Sequence, residues 1–148
     1  MRKTELEEIL EPIQCNRRVQ MMKQFTQHGK TSTFQHCRSV AETCDRLNER
    51  FRLGADRRTL ILSAMLHDFY LYDWHCADDG SHRCHGFHHA RTARNNAIRE
   101  FAVSGKIQSA IDSHMWPLNP LRIPKSREAW ILWIADKIET FREMRAKP

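Results

Sequence analysis

The segment Leu60-Ile-Leu-Ser-Ala-Met-Leu-His-Asp68 runs from an apolar stretch directly into a histidine and an aspartate. The apolar residues have the composition of a buried helix, and Asp56 stands where the N-cap of such a helix is expected. We therefore predict a helix from Arg57 to about Phe69. A buried helix that ends in an imidazole and a carboxylate brings two metal-binding side chains to the edge of a protein core.

Helical periodicity also dominates the segments on either side. Upstream, the predicted helices run from Thr4 to Leu10, from Gln14 to Gln27 and from about Phe34 to Phe51, the last with candidate capping hydroxyls at residues 31–33. Downstream, they run from His88 or His89 to about Val103, from Lys106 to Met115, and from a cap at Ser126 to about Arg145. The expected core face of the last helix consists of Ile131, Ile134, Ile138 and Phe141. No segment has convincing strand alternation, so the sequence predicts an all-α fold, a single-domain helical bundle over residues 1–148.

Two segments between these helices have the composition of loops. Residues 70–87 contain glycines and several aromatic side chains. A loop of this length inside a compact domain is usually functional or disordered, and the aromatic content argues against disorder. The second loop contains Pro117, Pro120 and Pro124, whose fixed φ angles stiffen the chain.

The composition limits the classes of protein to consider. The formal net charge of +6 fits either a solvated basic surface or the attraction of an anionic ligand such as a nucleotide. The basic residues are dispersed, which disfavours nucleic acid as a partner. No apolar run reaches membrane-spanning length and the charged N-terminus lacks a signal peptide, so we expect a cytoplasmic protein without membrane contact. Five cysteines without a CxxC pair indicate reduced thiols.

Two further side chains are candidates for the same site as the histidine and aspartate at 67 and 68. His36 precedes Val40 by four residues, so it lies on the buried stripe of its helix, one turn earlier. Asp136 lies in the apolar context Ile134-Ala-Asp-Lys-Ile138, where an unpaired carboxylate is costly. Two imidazoles and two carboxylates suit a divalent ion such as iron, manganese, zinc, cobalt or nickel. The alternative is that His36 is an ordinary core histidine and that Asp136 pairs with a basic neighbour.

The order and context of these residues resemble a known family. His36, His67-Asp68 and Asp136 are similar to the H…HD…D signature of the HD-domain metal-dependent phosphohydrolase superfamily, over roughly residues 33–142. The resemblance implies an all-α bundle and hydrolysis of phosphate monoesters or diesters of nucleotides. It also implies that His67 and Asp68 belong to the catalytic centre.

The resemblance further implies a second metal ion. In members with two ions, additional histidines bind the second and the aspartate of the HD pair bridges both. His89 and His114 are the matching positions, with Asp68 as the bridge. His85 is the alternative to His89, and His114 has the competing explanation of a histidine interacting with a helix dipole.

The expected reaction is hydrolysis of a small phosphorylated substrate, and the sequence leaves the oligomeric state open. Candidate substrate-binding residues are Arg83 in the long loop, Lys125 in the proline loop, Lys137 beside Asp136, and Trp116. Tyr72, Trp74 and Trp116 are candidates to stack on a base or simply to pack their loops, and Asp73 and His75 are candidate general acids. The alternative function is a non-catalytic regulatory module that binds a metal or a nucleotide.

Overall fold

The computed structural model describes the backbone of residues 3–72 and 85–146 and the side chains of residues 5–72 and 88–146. Seven α-helices lie within these ranges: α1 (Lys3–Gln14), α2 (Arg17–Met21), α3 (Thr33–Arg50), α4 (Arg57–Leu66), α5 (His85–Phe101), α6 (Gly105–Asp112) and α7 (Arg127–Arg145). A 3-10 turn at Met22–Gln24 precedes two short antiparallel strands, β1 (Thr26–His28) and β2 (Thr31–Ser32). The predicted all-α fold class is confirmed.

The helix α4 lies at the centre of the bundle. It packs against α1, α3, α6 and α7. Every residue from Leu60 to Leu66 is buried, which explains why this stretch is apolar without interruption rather than amphipathic. The buried α4 therefore fixes the position of the residues that follow it, His67 and Asp68.

Three helix starts were correctly predicted from their capping residues. The side chain of Ser32 accepts a hydrogen bond from the backbone N–H of Gln35, whose own side chain accepts from the N–H of Ser32, so α3 begins with a capping box. Asp56 caps α4, and Ser126 caps α7. Each cap satisfies a backbone donor at a helix N-terminus, which makes these boundaries readable in the sequence.

The prediction of one helix from Gln14 to Gln27 is wrong. Asn16 caps the short α2 by accepting from the N–H groups of Arg18 and Val19, and the chain becomes extended at Phe25. Gly29, with φ of 58°, then turns the chain between β1 and β2. The prediction for α1 is also too short, because the helix continues through Pro12 to Gln14.

The buried face of α7 differs from the expected one. Ile134 is 43% exposed and Phe141 is 62% exposed, so neither belongs to the core. The buried stripe contains Ile131, Leu132 and Ala135 together with acidic side chains, among them Asp136. The apolar pattern was misleading because polar groups occupy part of the buried face. Over residues 3–72 and 85–146, no helix has both the length and the apolar composition needed to cross a bilayer.

Candidate metal centre

Four of the predicted ligands converge at the end of α4. His36 comes from α3, His67 and Asp68 from the turn after α4, and Asp136 from the middle of α7. One ligand atom from each of the four lies within 4.8 Å of the others, and all four residues are buried. The Nε2 atoms of His36 and His67 lie 2.9 Å and 3.4 Å, respectively, from Oδ1 of Asp136. We refer to these four residues as the first ligand group.

Asp68 also belongs to a second group, formed with His89 and His114. Its Oδ1 atom lies 3.3 Å from Nε2 of His89 and 3.4 Å from Nε2 of His114. Its Oδ2 atom faces the first group, 3.5 Å from Nε2 of His36 and 3.3 Å from Nε2 of His67. The carboxylate of Asp68 therefore presents one oxygen to each group, which is the arrangement needed to bridge two cations.

The hydrogen bonds of His67 indicate that a cation fits the first group. Its Nδ1 atom lies 2.6 Å from the carbonyl oxygen of Ala64, an acceptor, so Nδ1 carries a proton and donates it. In the neutral ring, the lone pair of Nε2 then points toward the carboxylates of Asp68 and Asp136. Nε2 of His67 and Oδ1 of Asp68 are both buried and without a hydrogen-bond partner among the described residues. A divalent cation in the first group would satisfy Nε2 of His67, and a second cation beside His89 and His114 would satisfy Oδ1 of Asp68.

His114 repeats this arrangement in the second group. Its Nδ1 atom donates to the carbonyl oxygen of Ile111 at 2.6 Å, which leaves Nε2 as the potential ligand atom. Nε2 of His114 lies 2.9 Å from Nε2 of His89. Two such nitrogens in contact need a shared proton or a cation, so the second group also fits a metal ion.

The carboxylates of the site perturb the pKa values of the histidines in the first group. Burial alone would lower the pKa of His36, but hydrogen bonds to Asp136 and Glu143 outweigh it and raise that pKa to about 10. Burial also works against protonation of His67, and the charge of Asp68 outweighs it, so the pKa of His67 lies well above its ordinary value. The first group thus attracts positive charge strongly.

The pKa values of Asp68, Asp136 and His114 are shifted downward. Although burial would raise their pKa values, the positive charge of His67 holds the pKa of Asp68 and that of Asp136 well below the ordinary range. Burial, together with the charges of His67 and His89, lowers the pKa of His114. Ionised carboxylates and a neutral His114 are the protonation states that a metal ion requires.

Sequence reasoning missed Gln27, which forms a hydrogen bond to Asp68. The side-chain amide of Gln27 donates to Oδ2 of Asp68 at 2.8 Å. Its Oε1 atom accepts from the hydroxyl of Tyr70 and, at 3.3 Å, from the hydroxyl of Thr33. No periodic signal in the sequence identifies Gln27, because it reaches the site through the short β1 strand.

Sequence reasoning also missed Glu143, which contacts a ligand of the first group. Both carboxylate oxygens of Glu143 lie 2.9 Å from Nδ1 of His36. This leaves Nε2 of His36 to face Asp136 and the rest of the first group. The position of Glu143, seven residues after Asp136, is a signal that was available, since that spacing places both on one face of a helix. His28 from β1 also approaches His36, with ring centroids 5.6 Å apart.

A cavity of about 560 Å³ opens beside the two ligand groups. Its polar lining includes Asp68, His89 and Asp136, and its apolar lining consists of Met115, Phe141 and Met144. The remaining lining residues are Gln27, His28, Lys137 and Thr140. The volume falls within the usual range for small-molecule sites.

Of the predicted substrate-binding residues, the structure places Lys137 at this cavity. Its Nζ atom donates to the carbonyl oxygen of His114 at 3.3 Å and lies 4.8 Å from the ring centre of Trp133. Desolvation lowers the pKa of Lys137, although its side chain keeps contact with solvent.

Two other predicted substrate-binding residues, Trp116 and Lys125, are not among the described residues that line this cavity. Trp116 packs with two other tryptophans, at ring distances of 5.6 Å from Trp130 and 5.9 Å from Trp133. Lys125 lines a separate hollow with Lys106 and Arg127.

Several predictions fall outside the described residues. These are Arg83 as a substrate contact, Asp73 and His75 as general acids, Trp74 as a stacking residue, and the side chain of His85 as a ligand. The helix α5 begins at His85 rather than at His88 or His89, so His89 lies one turn inside the helix. The side chain of His89 belongs to the second ligand group.

Comparison with known families gives one result. The family model described as HD domain matches residues 33–140 of the chain. No curated protein and no solved structure gives a significant match. All six residues of the two ligand groups lie inside the matched range, whereas Gln27 and Glu143 lie outside it.

Proposed function

Because the chain belongs to the HD domain family, we propose that it is a metal-dependent phosphohydrolase that acts on a nucleotide or another small phosphate ester. Proteins of this family are generally metal-dependent hydrolases. The observation that carries the proposal is the position of Asp68, whose two carboxylate oxygens face two separate groups of buried ligands. A structural metal site would need a closed set of ligands, whereas these groups border an open cavity.

The residues of the two groups have defined tasks in this proposal. His36, His67, Asp68 and Asp136 would hold one ion, and Asp68, His89 and His114 would hold the other. Divalent ions in such sites supply Lewis-acid stabilisation of phosphate charge and lower the pKa of bound water from about 15.7 toward about 7. Iron, manganese, zinc, cobalt and nickel all suit this mixture of imidazole and carboxylate.

Lys137 is the proposed phosphate contact from the protein. Its ammonium group lies at the cavity beside Asp136 and uses one donor on the carbonyl of His114. An ammonium group has three donors, so Lys137 has further donors available for a phosphate oxygen. A cation at this position attracts the anionic substrate and stabilises charge that develops on the phosphate.

The proposal is tested by a screen of nucleotides and small phosphate esters with each of the five metals. The native protein is expected to hydrolyse at least one compound, and Asp68→Ala is expected to abolish that activity while helical circular dichroism is retained. Asp56→Asn is the matched control, because asparagine also caps a helix and residue 56 lies at the exposed start of α4. Unchanged turnover by Asp68→Ala would overturn the proposal, and tight nucleotide binding without turnover would favour the regulatory module.

A further inference from the structure

We propose that the apolar end of the cavity, formed by Met115, Phe141 and Met144, binds a flat aromatic group of the substrate. The inference rests on the proposed phosphohydrolase function and specifies its substrate class. The substrate is then a phosphate ester whose organic half carries an aromatic ring, as a nucleobase or an aryl group does. Sugar phosphates without a ring of this kind would be poor substrates.

The exposure of two of these side chains is the first argument. Phe141 is 62% exposed and Met144 is 59% exposed, although both line a cavity beside buried charged residues. They follow Asp136 by five and eight residues on α7, so they lie one to two turns beyond it along the helix. Neighbouring large apolar side chains that face solvent at the mouth of a polar site are typical of a ligand-binding surface.

The composition of the apolar surface indicates an aromatic ligand. Phe141 offers a ring for stacking, and the guanidinium of Arg145 lies 5.6 Å from the centre of that ring. Met115 and Met144 are flexible and polarisable, and thioethers make favourable contacts with aromatic rings. Together, these three side chains form a surface that suits a flat ring.

The direction of the substrate follows from the two ends of the cavity. Asp68, His89 and Asp136 lie at one end, where the phosphate must be held if the proposed function is correct. Phe141 and Met144 follow Asp136 by five and eight residues on α7, so they are displaced along the helix from the ligand groups and line the opposite part of the cavity. A phosphate ester held at the first end therefore directs its organic half toward the apolar surface.

The charge of the lining favours one phosphate group rather than a polyphosphate chain. Among the described residues that line this cavity, Lys137 is the only lysine or arginine. Apart from the proposed metal ions, the described lining offers a polyphosphate no second lysine or arginine along its length.

Two of the three side chains of the surface lie outside the segment that matches the family. The family match ends at residue 140, and Phe141 and Met144 follow it directly or closely. The two side chains therefore lie beside the shared ligand groups without belonging to the matched segment. Such positions are suited to determine which organic group is accepted.

The test measures binding of the dephosphorylated halves, which requires no turnover. Adenosine, thymidine, benzyl alcohol and ribose are titrated calorimetrically into manganese-equilibrated protein that contains inorganic phosphate. At least one aromatic compound is expected to bind about tenfold or more tightly than ribose, as stacking on an aromatic side chain implies. Preference for the nucleosides indicates a nucleotide substrate, and preference for benzyl alcohol indicates an aryl ester. Equal binding of ribose and all three aromatic compounds, or binding of none, would overturn the inference.

Substitutions then assign the effect to the surface. Phe141→Ala and Met144→Ala are each expected to reduce the preference for the aromatic compound about three- to tenfold. Phe51→Ala is the matched control, because Phe51 is 60% exposed and is not among the residues that line the cavity. An unchanged preference in both α7 variants would also overturn the inference.

A separate assay distinguishes this inference from the proposed function. Hydrolysis of adenosine 5′-monophosphate, thymidine 5′-monophosphate, benzyl phosphate and ribose 5-phosphate is measured with the same metal-loaded protein. Aromatic binding without hydrolysis of any phosphate would support the surface and count against the phosphohydrolase. Hydrolysis of all four at equal kcat/KM, with no aromatic binding, would support the phosphohydrolase and overturn the surface.

Discussion

The carboxylate of Glu143 faces the imidazole of His36, with both oxygens 2.9 Å from Nδ1. Nδ1 therefore donates its proton to Glu143, and Nε2 of His36 is directed to the first ligand group. A carboxylate in this position fixes the orientation of a metal-binding histidine and increases its basicity. The contact links the last two turns of α7 to the proposed metal site.

Removal of this carboxylate is expected to weaken metal binding. Glu143→Ala should lower the affinity of the first ion roughly 10- to 100-fold, as loss of such an orienting partner usually does. Glu143→Gln keeps a hydrogen-bond acceptor but loses the charge, so its effect should be intermediate. Calorimetric titration with manganese checks this, with Glu8→Gln on the exposed side of α1 as the control. Equal affinities in all four proteins would contradict the orienting role.

The second ligand group predicts a change in metal stoichiometry. Variants His89→Ala and His114→Ala should each lose one bound ion and keep the other, because the first group does not contain these residues. His88→Ala is the control, since His88 is exposed beside His89. Metal analysis after gel filtration gives the number of metal ions bound per protein molecule. Two ions retained in both variants would leave His85 as the candidate ligand.

The buried contacts of Gln27 predict a measurable stability effect. Gln27→Ala removes the Oε1 atom that accepts from the hydroxyl of Tyr70 and the amide that donates to Asp68. Loss of a hydrogen-bond partner for a buried polar group costs about 1–3 kcal/mol. The free energy of unfolding measured in urea should therefore decrease by this amount. Tyr70→Phe removes the hydroxyl itself, and the double variant should be less destabilised than the sum of the two single variants. Strict additivity would indicate that the two side chains do not interact.

The pKa of His36 predicts how the stability of the metal-free protein depends on pH. This pKa is about 10 in the folded protein and near 6.5 when unfolded, so the folded state binds the proton more tightly. The resulting stabilisation is complete below about pH 6.5 and is lost as the pH rises through about 10. The raised pKa of His67 acts in the same direction.

The measurement is a series of thermal unfolding curves from pH 7 to pH 10 with a chelator present. The melting temperature should decrease over this range, and His36→Gln should flatten the decrease. With manganese in place of the chelator, the stabilisation by metal should grow as the pH rises, because protons compete with the ion for the same nitrogens. A melting temperature that is constant or rises with pH in the metal-free native protein would contradict the prediction.

Much of the fold was readable from the sequence where one local signal dominates. The uninterrupted apolar residues of α4 and its cap at Asp56 identified the central helix, because complete burial leaves no polar face. The start of α2 and the turn between β1 and β2 were less readable, since they depend on Asn16 as a cap and on Gly29 as a turn residue. Strands of three and two residues are too short to show alternation.

Some residues of the site could likewise be identified from the sequence, and others could not. His36, Asp136 and the pair at 67 and 68 stood out because buried polar residues in apolar contexts need partners, and the structure brings them together. Gln27 did not stand out, because polar residues near chain segments of mixed character are usually solvated. Glu143 shares a helix face with Asp136, but that spacing alone does not identify its partner. Their roles depend on how the hairpin and the end of α7 pack, which is a tertiary property.

The histidines differ in what sets their orientation. His67 and His114 each donate to a backbone carbonyl three residues earlier, at Ala64 and Ile111, which no side-chain substitution can remove. His36 instead donates to a side chain, Glu143. If His36 binds a metal ion as proposed, a substitution at position 143 would change the basicity of that one ligand while all six proposed ligand residues stay the same, so position 143 is a site at which metal preference could be engineered.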